Sequence, residues 1–320
     1  MTHPTTLRGL LKTATILISK GDISEAQRIL DTVAEEADSA ALGPETALGM
    51  PRRLHAVRLK LVKAQGDKAA KIALQYHLVP PVEMLAPLFR NDAAGRRARV
   101  EAAQDAVPRL LHQIWIGSPP PETISVWRDH AARHDWDYKL WDEDALARIG
   151  VTSDPVFRQM LDNGDFPGAV DVARYHVLSQ QGGIYLDCDW LPVRDEPFEH
   201  VVPMRGLSAM PEETPRLTGV GSPFLNNSVI AAPPGHPVFS QLLGLLPEVV
   251  RRLPEGPAWW VTGPLVFTLA ARAGPVGVLD AGLSAPGVDG SRAEAEAAIA
   301  AKARSASPAF LLPWKPWEND

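Results

Sequence analysis

With 320 residues the chain can form one large α/β domain plus a smaller appendage, since domains usually run to about 100–200 residues. Its 45% hydrophobic and 22% charged content is that of a globular protein with a real core, and a net charge of −6 argues against nucleic acid as a partner. The lone cysteine, Cys188, excludes an internal disulfide and fits a reducing, cytoplasmic setting.

No apolar stretch approaches the roughly 18–20 residues needed to span a bilayer. The run Leu7–Ser19 is interrupted by Arg8 and Lys12 and lacks a cleavage site, so no signal peptide is expected. Residues 1–106 read as a helical region. Leu7, Leu10, Leu11, Ala14, Leu17 and Ile18 recur at helical spacing, Gly21-Asp22 breaks the run, and Ala26, Ile29, Leu30 and Val33 begin a second helix. The pattern returns at Leu54–Lys63, Gly66-Asp67 and Ala69–Leu78. Two helical hairpins, each turning at Gly-Asp, resemble tetratricopeptide-like units, which need neighbours to complete a core. They are expected to pack as a bundle, with a protein-partner surface as the other reading. The basic stretch Arg90–Arg99 reads as the end of a linker helix or a boundary.

From Val107 onward strands and helices alternate, and residues 107–320 are expected to form an α/β domain. Strands are predicted at Arg109–Ile116, Tyr138–Trp141, Ile184–Leu186, Val201–Ala209 and Phe224–Ala232. Helices are predicted at Glu122–His134, Phe166–Gln180, Pro237–Arg252 and Pro264–Arg272. Gly182-Gly183 stops the helix that begins at Phe166 and admits a buried strand. In such sheets ligands gather beyond the carboxyl ends of the strands.

Asp-X-Asp occurs three times, at Asp135/Asp137, Asp142/Asp144 and Asp187/Asp189. Only the last follows an apolar run, Gly183-Ile184-Tyr185-Leu186, and so sits at the carboxyl edge of a buried strand. Two carboxylates spaced by one residue there can hold a hard divalent cation, Mn²⁺ or Mg²⁺, against a diphosphate. Upstream, Asp171 and Arg174 lie three apart on one helix face, and the Gly-Gly stop turns that helix back against the strand carrying Asp187. Such a pair can bind sugar hydroxyls and phosphate by charge-assisted hydrogen bonds, or can simply form an intrahelical ion pair.

The ordered set Pro108–Gly117, Trp141-Asp142, residues 169–192, Asn226-Asn227, Gly235-His236-Pro237 and Thr262-Gly263-Pro264 resembles glycosyltransferase family 32, the DXD-containing sugar-binding-region family. The match covers roughly 107–275. The resemblance implies a GT-A fold, a Rossmann-like sheet without a Gly-x-Gly-x-x-Gly loop, and a metal-dependent, retaining transfer of a hexose from a UDP- or GDP-sugar. The acceptor would be a glycan, such as a growing polysaccharide, a lipid-linked glycan or a protein. Carried over by position, Trp115 would stack on the base with Ile116 beside it, and Asp171 and Arg174 would hold sugar and diphosphate. Asp187 and Asp189 would engage ribose, sugar and metal, and Asn226 or Asn227 would face the donor.

Tyr185, in the strand before Asp187, completes this set, although packing is the competing reading for it, as for Tyr175 and Trp115. His112 is expected to be a buried, hydrogen-bonded histidine, and His236 to help begin a helix. The family often completes its metal site near the C-terminus with a histidine, which is missing here; Glu318 and Asp320 are the substitutes, with Trp314 or Trp317 as covers for the diphosphate. Two other functions compete. A haloacid-dehalogenase-type phosphatase also places Asp-X-Asp after a strand, but it wants Thr or Val where Leu191 stands. A catalytically silent sugar-nucleotide- or protein-binding module would not need both aspartates and the arginine.

Overall fold

The computed structural model describes residues 4–36, 42–78, 84–117, 120–212, 224–254, 256–288 and 290–314. The chain forms two compact units, Met1–Pro81 and Val82–Asp320.

The first unit is helical, as its periodicity predicts: α1 (Pro4–Ser19), α2 (Ile23–Glu35), α3 (Arg52–Gln65) and α4 (Lys68–Leu78). Both Gly-Asp turns do what their chemistry suggests. Gly66 closes α3 in the left-handed region at φ 73°, and Asp67 accepts the Ala70 amide at 3.0 Å to start α4. Leu7, Leu11, Ala14, Ala26, Leu30, Val33 and Leu54 form the core of the unit. No helix among the described residues is long and apolar enough to cross a membrane.

The second unit begins before the alternation of strands and helices. Its first long helix is α5 (Ala93–Ala102), which the sequence assigns to the helical region ending at 106. Instead Arg99, buried, donates through Nη1 to the Ala270 carbonyl at 2.8 Å, and Asn91 donates to the Ala273 carbonyl at 3.3 Å. The basic stretch therefore belongs to the larger unit, because Arg99 and Asn91 satisfy backbone carbonyls there, while Arg90, Arg96 and Arg97 stay exposed.

The elements that follow are β1 (Leu110–Ile114), α6 (Thr123–Arg133), β2 (Asp137–Trp141), α7 (Glu143–Arg148), α8 (Pro155–Asp162), α9 (Phe166–Gln181), β3 (Gly183–Leu186), β4 (Trp190–Pro192), β5 (Ser208–Pro211) and β6 (Leu225–Ala232). After them come α10 (Pro237–Arg252), α11 (Ala258–Val261), α12 (Pro264–Ala271), β7 (Gly277–Val278), α13 (Arg292–Ala303) and β8 (Leu311–Pro313). The main sheet runs β2-β1-β3-β6-β5-β7. β1 pairs parallel with β2 and with β3, β6 runs antiparallel to β3 and β5, and β7 pairs parallel with β5. This is the α/β architecture with N-terminal helices that the sequence implies.

The strand expected over Val201–Ala209 forms only at its end. Pro203 lacks an N–H, and Gly206 turns at φ 64°, with the Ala103 carbonyl 2.9 Å from where a Cβ would stand. The Gly182-Gly183 stop is present. Gly182 adopts φ 62° and Gly183 φ 95°, and a Cβ on Gly183 would collide with the Leu110 carbonyl. Only glycine lets α9 end that close to β1. A second, small sheet pairs β4 with β8, joining Trp190 to Pro313, a pairing with no local signal in the sequence.

Candidate functional site

Because β1 and β3 are parallel, their carboxyl ends open on one edge of the sheet, and the antiparallel β6 begins at that same edge. Trp115 and Ile116, both partly exposed, follow β1, and Asp187 follows β3. Asn226 and Asn227 lie at the start of β6. The Asp187 amide continues the ladder by donating to the Ser228 carbonyl at 2.9 Å, and the Trp115 amide donates to the Trp141 carbonyl at 3.0 Å. Beyond Asp187 the chain turns at Cys188-Asp189 into β4. That turn is pinned from several sides. Trp314 donates its amide to the Asp189 carbonyl at 2.7 Å, Trp127 donates its indole N–H to the Trp190 carbonyl at 2.7 Å, and the Cys188 thiol lies 3.3 Å from the Ile114 carbonyl. Burial pushes that thiol up, so Cys188 is a neutral packing group.

Asp171 and Arg174 project from α9 beneath this edge, only 5% and 4% exposed. The Arg174 guanidinium lies 3.1 Å from both Asp171 Oδ1 and Asp187 Oδ1, and donates through Nη1 to the Asn227 carbonyl. It also covers the Tyr185 ring at 4.4 Å, while the Tyr185 hydroxyl donates to Asp187 Oδ1 at 2.6 Å. Asp171 accepts from Asn227 Nδ2 at 2.8 Å and from the Thr262 hydroxyl at 3.0 Å, and Tyr175 donates to the Thr262 carbonyl at 2.7 Å. Burial pushes Asp171 up to about 6, against the pull of Arg174 and of the Asn227 and Thr262 hydrogen bonds. Burial alone would lower Arg174, but the Asp187 and Asp171 carboxylates outweigh it and keep the guanidinium charged.

This arrangement separates two layers. Asp171, Arg174, Tyr175, Asn227 and Thr262 form a buried, hydrogen-bonded base. Asp187, with its side chain 28% exposed, and the partly exposed Asp189 stand above it at the open edge. Arg174 and Tyr185 both engage Oδ1 of Asp187, which fixes the carboxylate and directs its other oxygen elsewhere. Two such carboxylates on one tight turn are a hard-oxygen donor set that fits a divalent cation keeping waters and phosphate oxygens in its shell. Asp187 and Asp189 are the residues that would hold it.

Several expectations meet their positions here. His112 is buried, donating through Nε2 to the Gly182 carbonyl at 2.7 Å and accepting at Nδ1 from the Trp141 indole at 3.0 Å. His236 caps α10 by accepting the Val238 amide at 3.2 Å. The other Asp-X-Asp pairs are local: Asp135 sits in a turn at φ 57°, and Asp142 caps α7 by accepting the Ala145 amide at 2.8 Å. Trp314 does not cover a diphosphate. Its ring is buried with Leu191, Val193 and Leu312, and its indole donates to the Gly290 carbonyl at 2.9 Å, because β8 is drawn in beside β4. Trp317, Glu318 and Asp320 lie outside the described residues. Sequence reasoning missed the part of Thr262 in holding Asp171, and of Gly263, where a Cβ would stand 2.9 Å from Asp171 Oδ2. It also missed Gln113, which donates to the Asp187 carbonyl at 3.3 Å and accepts from the Tyr138 hydroxyl at 2.9 Å. The Thr-Gly-Pro tripeptide was the available signal for the first two.

Residues 122–203 match the family described as the glycosyltransferase sugar-binding region containing a DXD motif. The chain is 28% identical over 170 residues to the inositol phosphoceramide mannosyltransferase 3 of Schizosaccharomyces pombe, covering 51% of this chain and 44% of that one. It is 25% identical over 174 residues to the mannosyl phosphorylinositol ceramide synthase CSH1 of Saccharomyces cerevisiae, covering 53% and 43%. The matched region thus spans under half the length of either relative. A solved PaToxG glycosyltransferase superposes with a TM-score of 0.41 at 20% identity, over 55% of this chain and 72% of that one. The two aspartates singled out by the strand before them, Asp187 and Asp189, fall within the segment, residues 122–203, that matches the DXD-containing glycosyltransferase sugar-binding-region family.

Proposed function

We propose that this protein transfers a hexose, with mannose as the first candidate, from a nucleoside-diphosphate sugar to a hydroxyl acceptor in a metal-dependent reaction. The observation that carries the reading is the convergence of Trp115, Asn226, Asp187 and Asp189 on one open sheet edge above a charged Arg174. Mannose is favoured because the two fungal relatives are named for mannosyl transfer, and an inositol phosphoceramide-type lipid is the first acceptor to try for the same reason. A glycan or protein acceptor is the alternative.

A divalent ion held by Asp187 and Asp189 would neutralise charge on the departing diphosphate. The chain's own residues orient and hold. Trp115 offers an aromatic face to the base, and Arg174 sets the angle of Asp187 while keeping a positive charge behind it. Asp171, tied to Arg174, Asn227 and Thr262, fixes the helix face from which that charge is presented. The carboxylates at this edge stand on a single turn rather than on opposite sides of a gap, which disfavours a glycosidase mechanism; the release of diphosphate is the step this geometry favours.

The test is a panel of UDP- and GDP-sugars, GDP-mannose included, with Mn²⁺ or Mg²⁺ and with chelator, assayed for nucleoside-diphosphate release and for transfer to inositol phosphoceramide. Metal-dependent release from one donor supports the reading. Absence of both release and donor-induced thermal stabilisation across the panel rejects it.

A further inference from the structure

A second cluster of metal-ligating groups lies away from the Asp187 edge. His130, on α6, and His134, just past its end, are spaced by one helical turn, and their rings stand 4.6 Å apart on one face. Asp195, in the segment that leaves β4, reaches both. Its Oδ1 lies 2.9 Å from His134 Nε2 and 3.6 Å from His130 Nδ1.

The His130 ring carries the argument. Its side chain is 1% exposed, and its Nε2 lies 2.9 Å from the Glu196 carbonyl, which can only accept, so Nε2 bears the hydrogen. In the neutral ring Nδ1 is then a bare lone pair. It is buried, has no hydrogen-bond partner among the described residues, and points at a carboxylate oxygen too far away for a hydrogen bond. Two electron-rich atoms facing each other at that separation call for a cation between them.

We propose that His130 Nδ1, His134 Nε2 and an Asp195 carboxylate oxygen form a site for a divalent ion of the zinc class, with water in the fourth position. Two imidazoles and one carboxylate are a donor set suited to zinc rather than to magnesium or calcium. Ligand atoms about 2.0–2.1 Å from one tetrahedral ion stand roughly 3.3 Å apart. The three ligand atoms here all lie within 4.8 Å of one another, so small side-chain rotations bring them onto one ion. The His130 Nε2–H bond to a backbone carbonyl is the support that metal-binding histidines use to fix their tautomer. Loading shifts the His134 proton from Nε2 to Nδ1 within the ring, with no net proton release. Arg133 also holds Asp195 Oδ1, through Nε at 3.2 Å and Nη2 at 3.1 Å. Its side chain is half exposed, so it can leave for solvent when the ion enters. The ion would staple α6 to the segment that follows the Asp187–Asp189 turn, independently of the reaction proposed above.

The test uses the full chain without a histidine tag, stripped with chelator and titrated with Zn²⁺, and with Co²⁺ as a visible reporter of tetrahedral nitrogen–oxygen coordination. One zinc per chain and a tetrahedral Co²⁺ spectrum are expected. His134→Ala and Asp195→Asn, both at exposed or partly exposed positions, should weaken zinc binding by at least the ~10-fold that loss of a mere supporting partner costs. Asp189→Asn should leave it unchanged, which separates this site from the carboxylate turn. A stripped wild-type chain that takes up no zinc, or variants at His134 and Asp195 that bind it as tightly as wild type, would overturn the proposal and leave Asp195 as an ion-pair anchor for Arg133.

Discussion

The Arg174 guanidinium lies 3.1 Å from the Asp187 carboxylate and the same distance from Asp171, so one buried cation joins the helix α9 to the exposed end of β3. Removing it leaves Asp171 buried with hydrogen-bond partners but no countercharge. Arg174→Ala should destabilise the protein by about 3–5 kcal/mol, the cost of breaking a buried pair, and abolish transfer. Arg174→Lys keeps charge but loses the planar fork that spans both carboxylates and the Asn227 carbonyl. It should retain most of the stability while transfer falls sharply. Urea unfolding and initial rates on the two variants check this; an Arg174→Lys variant as active as the unsubstituted chain would remove Arg174 from its orienting role.

Tyr185 tests the same linkage from the other side. Tyr185→Phe deletes only the hydroxyl that donates to Asp187 Oδ1, while the ring under Arg174 stays. Stability should fall by about 1 kcal/mol, as for one hydrogen bond. Metal affinity, read by titrating Mn²⁺ against activity, should weaken, because Asp187 gains freedom to rotate. An unchanged Mn²⁺ dependence would show that Arg174 alone fixes the carboxylate.

The signature of the site was legible because its parts are local. A strand of four residues, a Gly-Gly stop with only glycine-compatible dihedrals, and a helix with Asp171 and Arg174 one turn apart all lie close together in the chain. The Gly-Asp turns of the first unit were legible for the same reason, since a cap is a short-range device. What escaped was long-range. Nothing near Leu311 announces that it will pair with β4, and Trp314 beside it reads equally well as a ligand cover or as core. Nothing near Arg99 states that its charge will end on the Ala270 carbonyl rather than in solvent. Composition marks such residues as charged or aromatic, but partner and burial are decided by tertiary packing.

That packing bears on truncation. A chain beginning at Met84 keeps α5 and the Arg99 contacts, and should fold with a cooperative transition. One beginning at Val100 loses Arg99 and leaves its partners, the buried Ala270 carbonyl on α12 and the partly buried Gln241 side chain, without it. It should be less stable by about 1–3 kcal/mol from the unsatisfied groups alone, with more from lost packing. Circular dichroism melts of the two truncated chains distinguish them, and equal melting temperatures would place α5 outside the folded unit.

Acid should loosen the second unit. Burial pushes His112 and His236 down to about 4, whereas an unfolded histidine titrates near about 6.5. Between those values the unfolded chain binds more protons, so stability is full above about pH 6.5 and declines toward pH 4, by on the order of 3 kcal/mol for His112. Asp171, raised to about 6, works against this by binding a proton in the folded state over part of the same range, but it is one group against two. The His112 tautomer adds to the penalty, since a second proton on Nδ1 would face the Trp141 N–H. Urea midpoints at pH 7, 5.5 and 4.5 should fall in order, and His236→Asn, which keeps a helix cap without a titrating ring, should reduce the slope. A flat profile would mean that these rings are not held neutral.

The strongest test of the functional reading falls on Asp189. It stands further past β3 than Asp187, on a turn whose backbone is held by the Trp314 amide, whereas the Arg174 clamp is made to Asp187. The expectation is that Asp189 is the principal protein ligand of the divalent ion, while Asp187, turned by Arg174 and Tyr185, serves the ribose or sugar and reaches the ion chiefly through water. Loss of Asp189 leaves the departing diphosphate poorly neutralised, a deficit of several kcal/mol. At about 1.36 kcal/mol per tenfold, Asp189→Asn should slow transfer by at least roughly 100-fold even though shape is preserved, since charge is what the cation needs. Folding should change little, because the Trp314 bond is made to the backbone carbonyl, which the substitution keeps. Asp142→Asn retains a capping side chain on α7 and should leave both rate and metal dependence intact. Steady-state rates with Mn²⁺ titrated from zero separate the outcomes: a full rate with ordinary metal dependence in the Asp189→Asn chain would sink the assigned site, and a fallen rate restored by excess Mn²⁺ would identify Asp189 as a ligand rather than as a structural residue.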